Sequence, residues 1–486
     1  MAYKHGVSIS ENPTSVISPV RVSAGLPVVF GTAPVNLAET QEFVNKPILA
    51  YTYPEAVKAL GYSADWKNYT LCEFMKSHFQ LFNVAPIVFV NVLDPKKHKK
   101  EVPDSDIALI KGVARIEQDG ILLDQLTVKL TAAGEPLQKN VDYIAAFDGK
   151  GNVIITAIQG GAISDTVPSL VVSYTHLDPN MVTKMDIIGG VDVTTGKYTG
   201  LELINRVFPM YRLVPGQILA TGWSHDPMVA AIMKAKSGSI NGLFKAVSVT
   251  DVDSSETGAD RYSEVPAWKN DKNYTDPLQI VCWPKVKLGD EIYHLSTQTA
   301  GLICKVDAKN DDIPFESPSN KNLQAVGLVN DAGEEVELGP EQANYLNGQG
   351  IVTALNWIGG WKLWGNRTAA YPGITDVKDA FIPVRRTFNW VANTIILTYW
   401  QNVDNPTNRR LIETVVDSMN IWLNGLSARG ALLGGRIEFR SDDNPTTDLL
   451  DGIIRFRVFL ASPTPGEVLE FQLEYDVSYF STLFAA

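Results

Sequence analysis

The stretch GEVLEFQLEYDV, residues 466–477, alternates apolar and polar side chains without a slip. Leu469, Phe471, Leu473, Tyr475 and Val477 fall on one face, and Glu470, Gln472, Glu474 and Asp476 on the other. A period of two is that of a half-buried β-strand. It lies close to the carboxyl end, where chains fray unless something holds them, so it needs a sheet to complete. Two earlier stretches, GGRIEFR and GIIRFRVFLA, read as strands of such a sheet. They turn Ile437 and Phe439, then Ile454, Phe456, Val458 and Leu460, towards an amphipathic helix predicted over 407–429. Arg436, Arg440, Arg455 and Arg457 face the other way, opposite in charge to the polar face of 466–477, and such cross-strand pairs contribute about 0.2–1 kcal/mol each. A two-stranded ribbon is marginal by itself and its open edges accept further strands.

The connector Ser462-Pro463-Thr464-Pro465-Gly466 holds two prolines two apart. It favours a stiff spacer of roughly 3 Å per residue over a tight hairpin. The final strand is therefore expected to pair in the sheet of another copy. Burial of its five apolar side chains is worth about 1.5–3 kcal/mol each, before the entropy of ordering is subtracted. Residues 1–35 pose the same question, because Val7 and Ile9 alternate with serines, and Pro13, Pro19, Pro27 and Pro34 exclude a helix. Both ends are expected to act as arms between copies.

The body between them is mixed. Helical patterns occupy 53–60 and the series Leu71, Phe74, Met75, His78, Phe79, Phe82, followed by APIVFVNVLDP, a strand buried on both faces. Past the lysine-rich KKHKKE, alternating pieces such as LTVKL, NVIITAI and SLVVSYTHLDP make the chain all-β to about residue 180. Helices are then predicted at 198–208, at 227–236 with Asp226 as cap, and at 296–306, with strands at GQILAT, LFKAVSV and LQIVCW between them. The stretch 307–350 is rich in loops and acids. The fold class is thus α+β and α/β, multidomain: a mixed core with an inserted all-β domain and a C-terminal α+β domain completed by exchanged strands. The divisions are an arm and linker over 1–35, core over 36–98, the β-insertion over 99–180, core again over 181–374, a carboxyl-terminal domain over 375–462 and an arm strand over 463–486.

A net charge of −12 argues against a general nucleic-acid partner, and the longest apolar run, 81–93, is interrupted and too short for membrane insertion. Cys72, Cys282 and Cys304 are too few for a disulfide framework and read as buried apolar side chains. No catalytic site, cofactor or metal is expected. Glu291 and His294 could place two ligands on one helix face but lack the further ligands such sites use, and Asp226, beside His225, already caps a helix. Phosphate-binding glycine loops and nucleophile elbows are missing from the sequence. Trp357, Trp361 and Trp364 could stack on a sugar or base, but tryptophans more often fill a core. The alternatives are an α/β enzyme with an accessory β-domain, or a cell-wall or carbohydrate-binding protein.

Several stretches, taken in order, resemble a known family. The opening GVSISENPTS with the run ending in FGTAP, the GLELINRVFP to PGQILATGWSHDPMVAAIM segment, the KLWGNRT turn and the closing P-x-P-G-E-V-L-E-F strand look like contractile tail sheath proteins of myophages and phage-tail-like bacteriocins. The likeness spans nearly the whole chain, with Asn366 standing where that turn often has a small residue. It implies a non-enzymatic subunit of the phage tail, assembled in the host bacterial cytoplasm as stacked hexameric rings around an inner tube. The partners it implies are further copies, the tail tube protein, and baseplate and terminator proteins, and contraction drives the tube through the bacterial envelope. By the same resemblance the carboxyl-terminal domain faces the tube. Val7 and Ile9, and Leu469, Glu470, Phe471, Leu473, Glu474 and Tyr475, would be arm residues, with Ile437, Phe439, Arg455, Phe456, Arg457 and Val458 in the receiving sheet.

Overall fold

The computed structural model describes residues 23–164 and 166–484. Val7 and Ile9 lie outside the described residues. The centre of the molecule is an eight-stranded sheet in the order Trp361–Trp364, Ile351–Asn356, Gln279–Cys282, Val247–Asp251, Gln217–Leu219, Pro27–Gly31, Ile87–Asn91, Pro47–Ala50. The six inner strands run parallel, and the two edge strands are antiparallel to their neighbours. Strands covered on both faces need continuous apolar runs, which is what PVVFG, QIL and IVFVN supply, every residue of them buried. Within the arm and linker expected over 1–35, of which residues 1–22 lie outside the described residues, Pro27–Gly31 is an inner strand, paired on one side with Gln217–Leu219 and on the other with Ile87–Asn91. Its apolar run belongs to the body because it is paired on both sides and every residue of it is buried; the prolines around it hide this in the sequence.

Helices cover the sheet. Pro227–Gly238 starts where expected, Asp226 accepting the amides of Met228 and Val229 at 2.9 and 3.4 Å. Leu295–Lys309 is buried along most of its length. Two apolar clusters lie either side of the sheet: Val28, Phe30, Val88 and Val90 point into one, Val29, Ile87, Phe89 and Val249 into the other. Between Lys99 and Leu177 the chain makes two three-stranded antiparallel sheets, which enclose a cluster of their own that includes Ile116, Val128, Tyr143, Ile155 and Val172. The Ile351–Trp364 hairpin turns through Gly359 and Gly360, whose φ of 78° and 89° lie in the left-handed region glycine adopts most freely.

The last part consists of the helices Ile382–Tyr399 and Arg409–Ala428 and a ribbon of Gly434–Glu438 with Arg457–Ala461. Arg409–Ala428 is shorter than the predicted 407–429 and is capped by Asn408, which accepts the Leu411 amide at 2.9 Å. Ile382–Tyr399 has no counterpart among the predicted elements. Arg386, Thr387, Asn389, Asn393, Thr394 and Thr398 are all buried in it, so it carries no apolar stripe that a periodicity search would find. Asn389 and Asn393 bond the backbone of Ala246 and Lys245, and Trp390 lies 5.6 Å from Trp422, so this helix joins the central sheet to the carboxyl-terminal part.

Candidate functional site

The carboxyl-terminal ribbon pairs Gly434 with Ala461 through to Glu438 with Arg457 in antiparallel register. Ile437 is buried, while Phe456, Val458 and Leu460 are half-buried against the cluster that contains Leu423 of Arg409–Ala428. Phe439 and Arg440 fall past the end of the first strand, and 452–456 lie before the start of the second, so both are shorter than predicted. Phe439 still meets Phe456, with ring centres 5.8 Å apart.

The two edges of the ribbon are not equivalent. The Ile437 N–H donates to Asn420 Oδ1 at 3.0 Å, and its carbonyl accepts from Asn420 Nδ2 at 3.4 Å. Successive residues of an antiparallel strand turn their backbone groups to opposite sides. With Ile437 facing the helix, its opposite number Val458 faces outward too, and so does Leu460. The first edge is therefore closed by a helix side chain. Along the second, Val458 and Leu460 have no backbone partner among the described residues.

The arginine face is already neutralised within the subunit. Arg436 and Arg440 both pair with Glu438, Arg455 with Asp448 and Arg457 with Asp443. Arg436 also stacks on Phe459, 4.3 Å from its ring centre. Compensated arginines attract an acidic segment more weakly than four free cations would.

The arm strand expected over 466–477 would need a second copy to pair with, and this is a single subunit. Residues 466–476 form no ladder, and Val477–Phe484 coils into a 3-10 turn. A strand exists only with a partner, and nothing in its own subunit pairs with it among the described residues. Nine apolar side chains from Val468 to Leu483 stand in solvent, Phe471 82% and Leu473 99% exposed. Glu470 and Glu474 are exposed as well. So continuous an apolar patch is unusual for a monomer and marks a surface that another molecule covers.

A second cluster, which periodicity could not reveal, sits at the carboxyl ends of the parallel strands. This is where ligands bind in open α/β sheets, commonly with an anion at a helix N-terminus. Here the N-terminus of Leu295–Lys309 is occupied by the protein's own carboxylates. Asp251 accepts the Ser296 amide at 3.0 Å and its hydroxyl at 2.5 Å, and takes the Ser224 hydroxyl at 3.1 Å. Glu73, 1% exposed, accepts the His294 amide at 2.7 Å and lies 2.8 Å from His294 Nδ1.

Glu291 and His294 do not share a helix face: Glu291 lies in the strand Glu291–Tyr293 and pairs with Lys76, while His294 precedes the helix. No cluster of ligating side chains suited to a metal occurs among the described residues. The three tryptophans also disperse. Trp361 packs on a core cluster, Trp364 reaches Asn344, and Trp357 is exposed at the hairpin turn.

Burial opposes the charged form of His294, but the Glu73 carboxylate outweighs it and holds the imidazole above its ordinary range. A raised folded-state value means that the folded chain binds the proton more tightly than the unfolded one. The resulting stability is fully present below about pH 6.5 and is lost as pH rises through the folded value. Thermal melts are expected to fall on going from pH 6 into the alkaline range, and His294→Gln to remove that part of the slope; parallel profiles for the two proteins would exclude the pair as its source.

No protein-family model matches the chain. It is 27% identical over 491 residues to the tail sheath protein of Burkholderia phage BcepMu, spanning 99% of this chain and 98% of that one. Among solved structures, the sheath of the extracellular contractile injection system PVC in its contracted state aligns with a TM-score of 0.58 at 16% identity, over 99% of each chain. The contracted helical sheath of the anti-feeding prophage gives 0.58 at 13% identity over 98% of this chain and all of that one. The sheath tail protein of Desulfitobacterium hafniense gives 0.52 at 13% identity, over 90% and 94%. At such identities the structural likenesses establish the fold, a mixed α/β architecture of several sheets.

Proposed function

We propose that this chain, alike from end to end to contractile tail sheath proteins, is the structural subunit of a contractile sheath. Copies stack as hexameric rings around an inner tube, within a tail that also carries baseplate and terminator proteins. The tail is assembled in the host bacterial cytoplasm, and contraction drives the tube through the bacterial envelope. Subunits are linked by strands, the arm of one completing the ribbon of another. The observation that carries this reading is an apolar arm without a strand partner, in a subunit whose ribbon keeps one open edge. Val458 and Leu460 offer outward backbone groups, and Leu469, Phe471, Leu473 and Tyr475 supply an apolar face that gains about 1.5–3 kcal/mol per side chain on burial. No bound nucleotide is needed, since a small gain in buried surface per subunit multiplies over many copies.

The enzyme alternative fares worse, because Asp251 and Glu73 fill the place at the strand ends that a ligand would take. Negative-stain microscopy of the purified chain is the direct test: tubes or stacked rings are expected, and uniform single subunits at high concentration would count against a sheath. Charge reversal tests the facing of arm and ribbon. Arg455→Glu with Arg457→Glu is expected to weaken assembly, and added Glu470→Arg and Glu474→Arg to restore it in part, at about 0.2–1 kcal/mol per pair. Recovery stays partial because Asp448 and Asp443 also lose their partners. If the four-fold variant assembles no better than the double one, the acidic face of the arm does not meet these arginines.

A further inference from the structure

We propose that Arg367 and Glu467 form a clamp that sets the direction in which the arm leaves its subunit; this rests on reading 466–477 as a linking strand. The connector runs along a cleft of about 950 Å³ whose walls include Glu316, Asn344, Trp364 and Arg367. Ser462, just before the cleft, is buried with its hydroxyl 3.5 Å from that of Thr387, and Pro463 and Pro465 within it are half-buried. Glu467 is then gripped at both carboxylate oxygens by Arg367, Nε to Oε1 at 3.1 Å and Nη2 to Oε2 at 2.5 Å. One residue later Val468 is 82% exposed, and from there to Asp476 no hydrogen bond to the body occurs among the described residues. Glu467 makes the last hydrogen bond between arm and body among the described residues.

The grip is better built than a surface ion pair needs to be. The Arg367 guanidinium lies 3.8 Å from the Phe381 ring centre and 4.4 Å from that of Tyr371, and its backbone is bridged to Phe381. Its side chain is 19% exposed and that of Glu467 31%. A planar fork held against two rings and bonded at two points fixes a direction as well as a distance, which a lysine could not do. A directed arm has less orientational freedom to lose on reaching a neighbour, and its effective concentration at the receiving edge is higher.

The test uses the full chain at a concentration below assembly, spin-labelled at Val468→Cys and at Tyr345→Cys, an exposed position on the helix Pro340–Asn347. A narrow distance distribution is expected, broadened by Glu467→Gln and kept narrower than that by the conservative Glu467→Asp. In unlabelled protein Glu467→Gln is expected to leave the melting temperature unchanged and to raise the concentration for half-assembly about two- to fivefold. An unchanged distribution in Glu467→Gln overturns the clamp. Removing the arm separates the two ideas. If a chain ending at Ser462 still assembles, the linking-strand reading fails; if it does not, while Glu467→Gln matches the parent in both assays, the clamp alone fails.

Discussion

A chain ending at Ser462 is expected to fold with unchanged stability and to build no tubes. Ser462 is 6% exposed and is the last buried residue of the described chain, so the cut falls where the body ends. What it removes is solvent-exposed beyond Gly466, apart from the bond of Glu467 to Arg367. Surface changes that leave the core intact stay within about 0.5 kcal/mol. Assembly is different, because each lost arm forfeits the burial of five alternating apolar side chains, about 1.5–3 kcal/mol apiece, at every contact along the lattice. Thermal denaturation and negative-stain microscopy of the same sample read the two effects separately. Normal tubes from the shortened chain would end the arm hypothesis, and a collapsed melting temperature would mean that the segment belongs to the body after all.

Asp307→Asn is expected to cost about 3–5 kcal/mol of folding stability, the largest effect of any single substitution considered, because it leaves a buried guanidinium without its counter-charge. Arg386 and Asp307 are 3% and 1% exposed. Arg386 Nη1 donates to Asp307 Oδ1 at 3.0 Å, Nη2 bonds the other oxygen, and Nη2 also reaches the Ala24 carbonyl at 3.3 Å. The pair ties Leu295–Lys309, on the central sheet, to Ile382–Tyr399, which leads into Arg409–Ala428 and the ribbon. Replacing both partners by apolar side chains, Asp307→Leu with Arg386→Met, is expected to recover most of the loss, since neither charge is then stranded. Urea denaturation of the parent, the single and the double variant decides it. A single variant as stable as the parent would mean that water reaches the site.

The central sheet was partly legible in the sequence. IVFVN and the strands from GQILAT to LQIVCW announce themselves by apolar runs, and Asp226-Pro227 marks a helix start. Pro27–Gly31 was obscured by the prolines around it, which made an inner strand look like part of an arm. Ile382–Tyr399 escaped altogether, because a helix enclosed on several sides buries asparagines that bond elsewhere, to Ala246 and Lys245, and threonines that donate to carbonyls of its own preceding turn. The carboxylates Glu73 and Asp251 gave no signal either, since the amides they bond belong to His294 and Ser296, far away in the chain.

By itself, the amino-acid order determined that residues 466–477 carry an apolar and a polar face in strict alternation behind a stiff connector: alternation is a local property, and two prolines restrict the chain before it. Which side of the ribbon is left open, and that its arginines are already matched, only the tertiary structure decided. Asn420 closes one edge from a neighbouring helix, and Asp443 and Asp448 sit beside Arg457 and Arg455 because the intervening turn brings them there. Backbone direction and charge pairing depend on what lies across space, and a one-dimensional pattern carries neither.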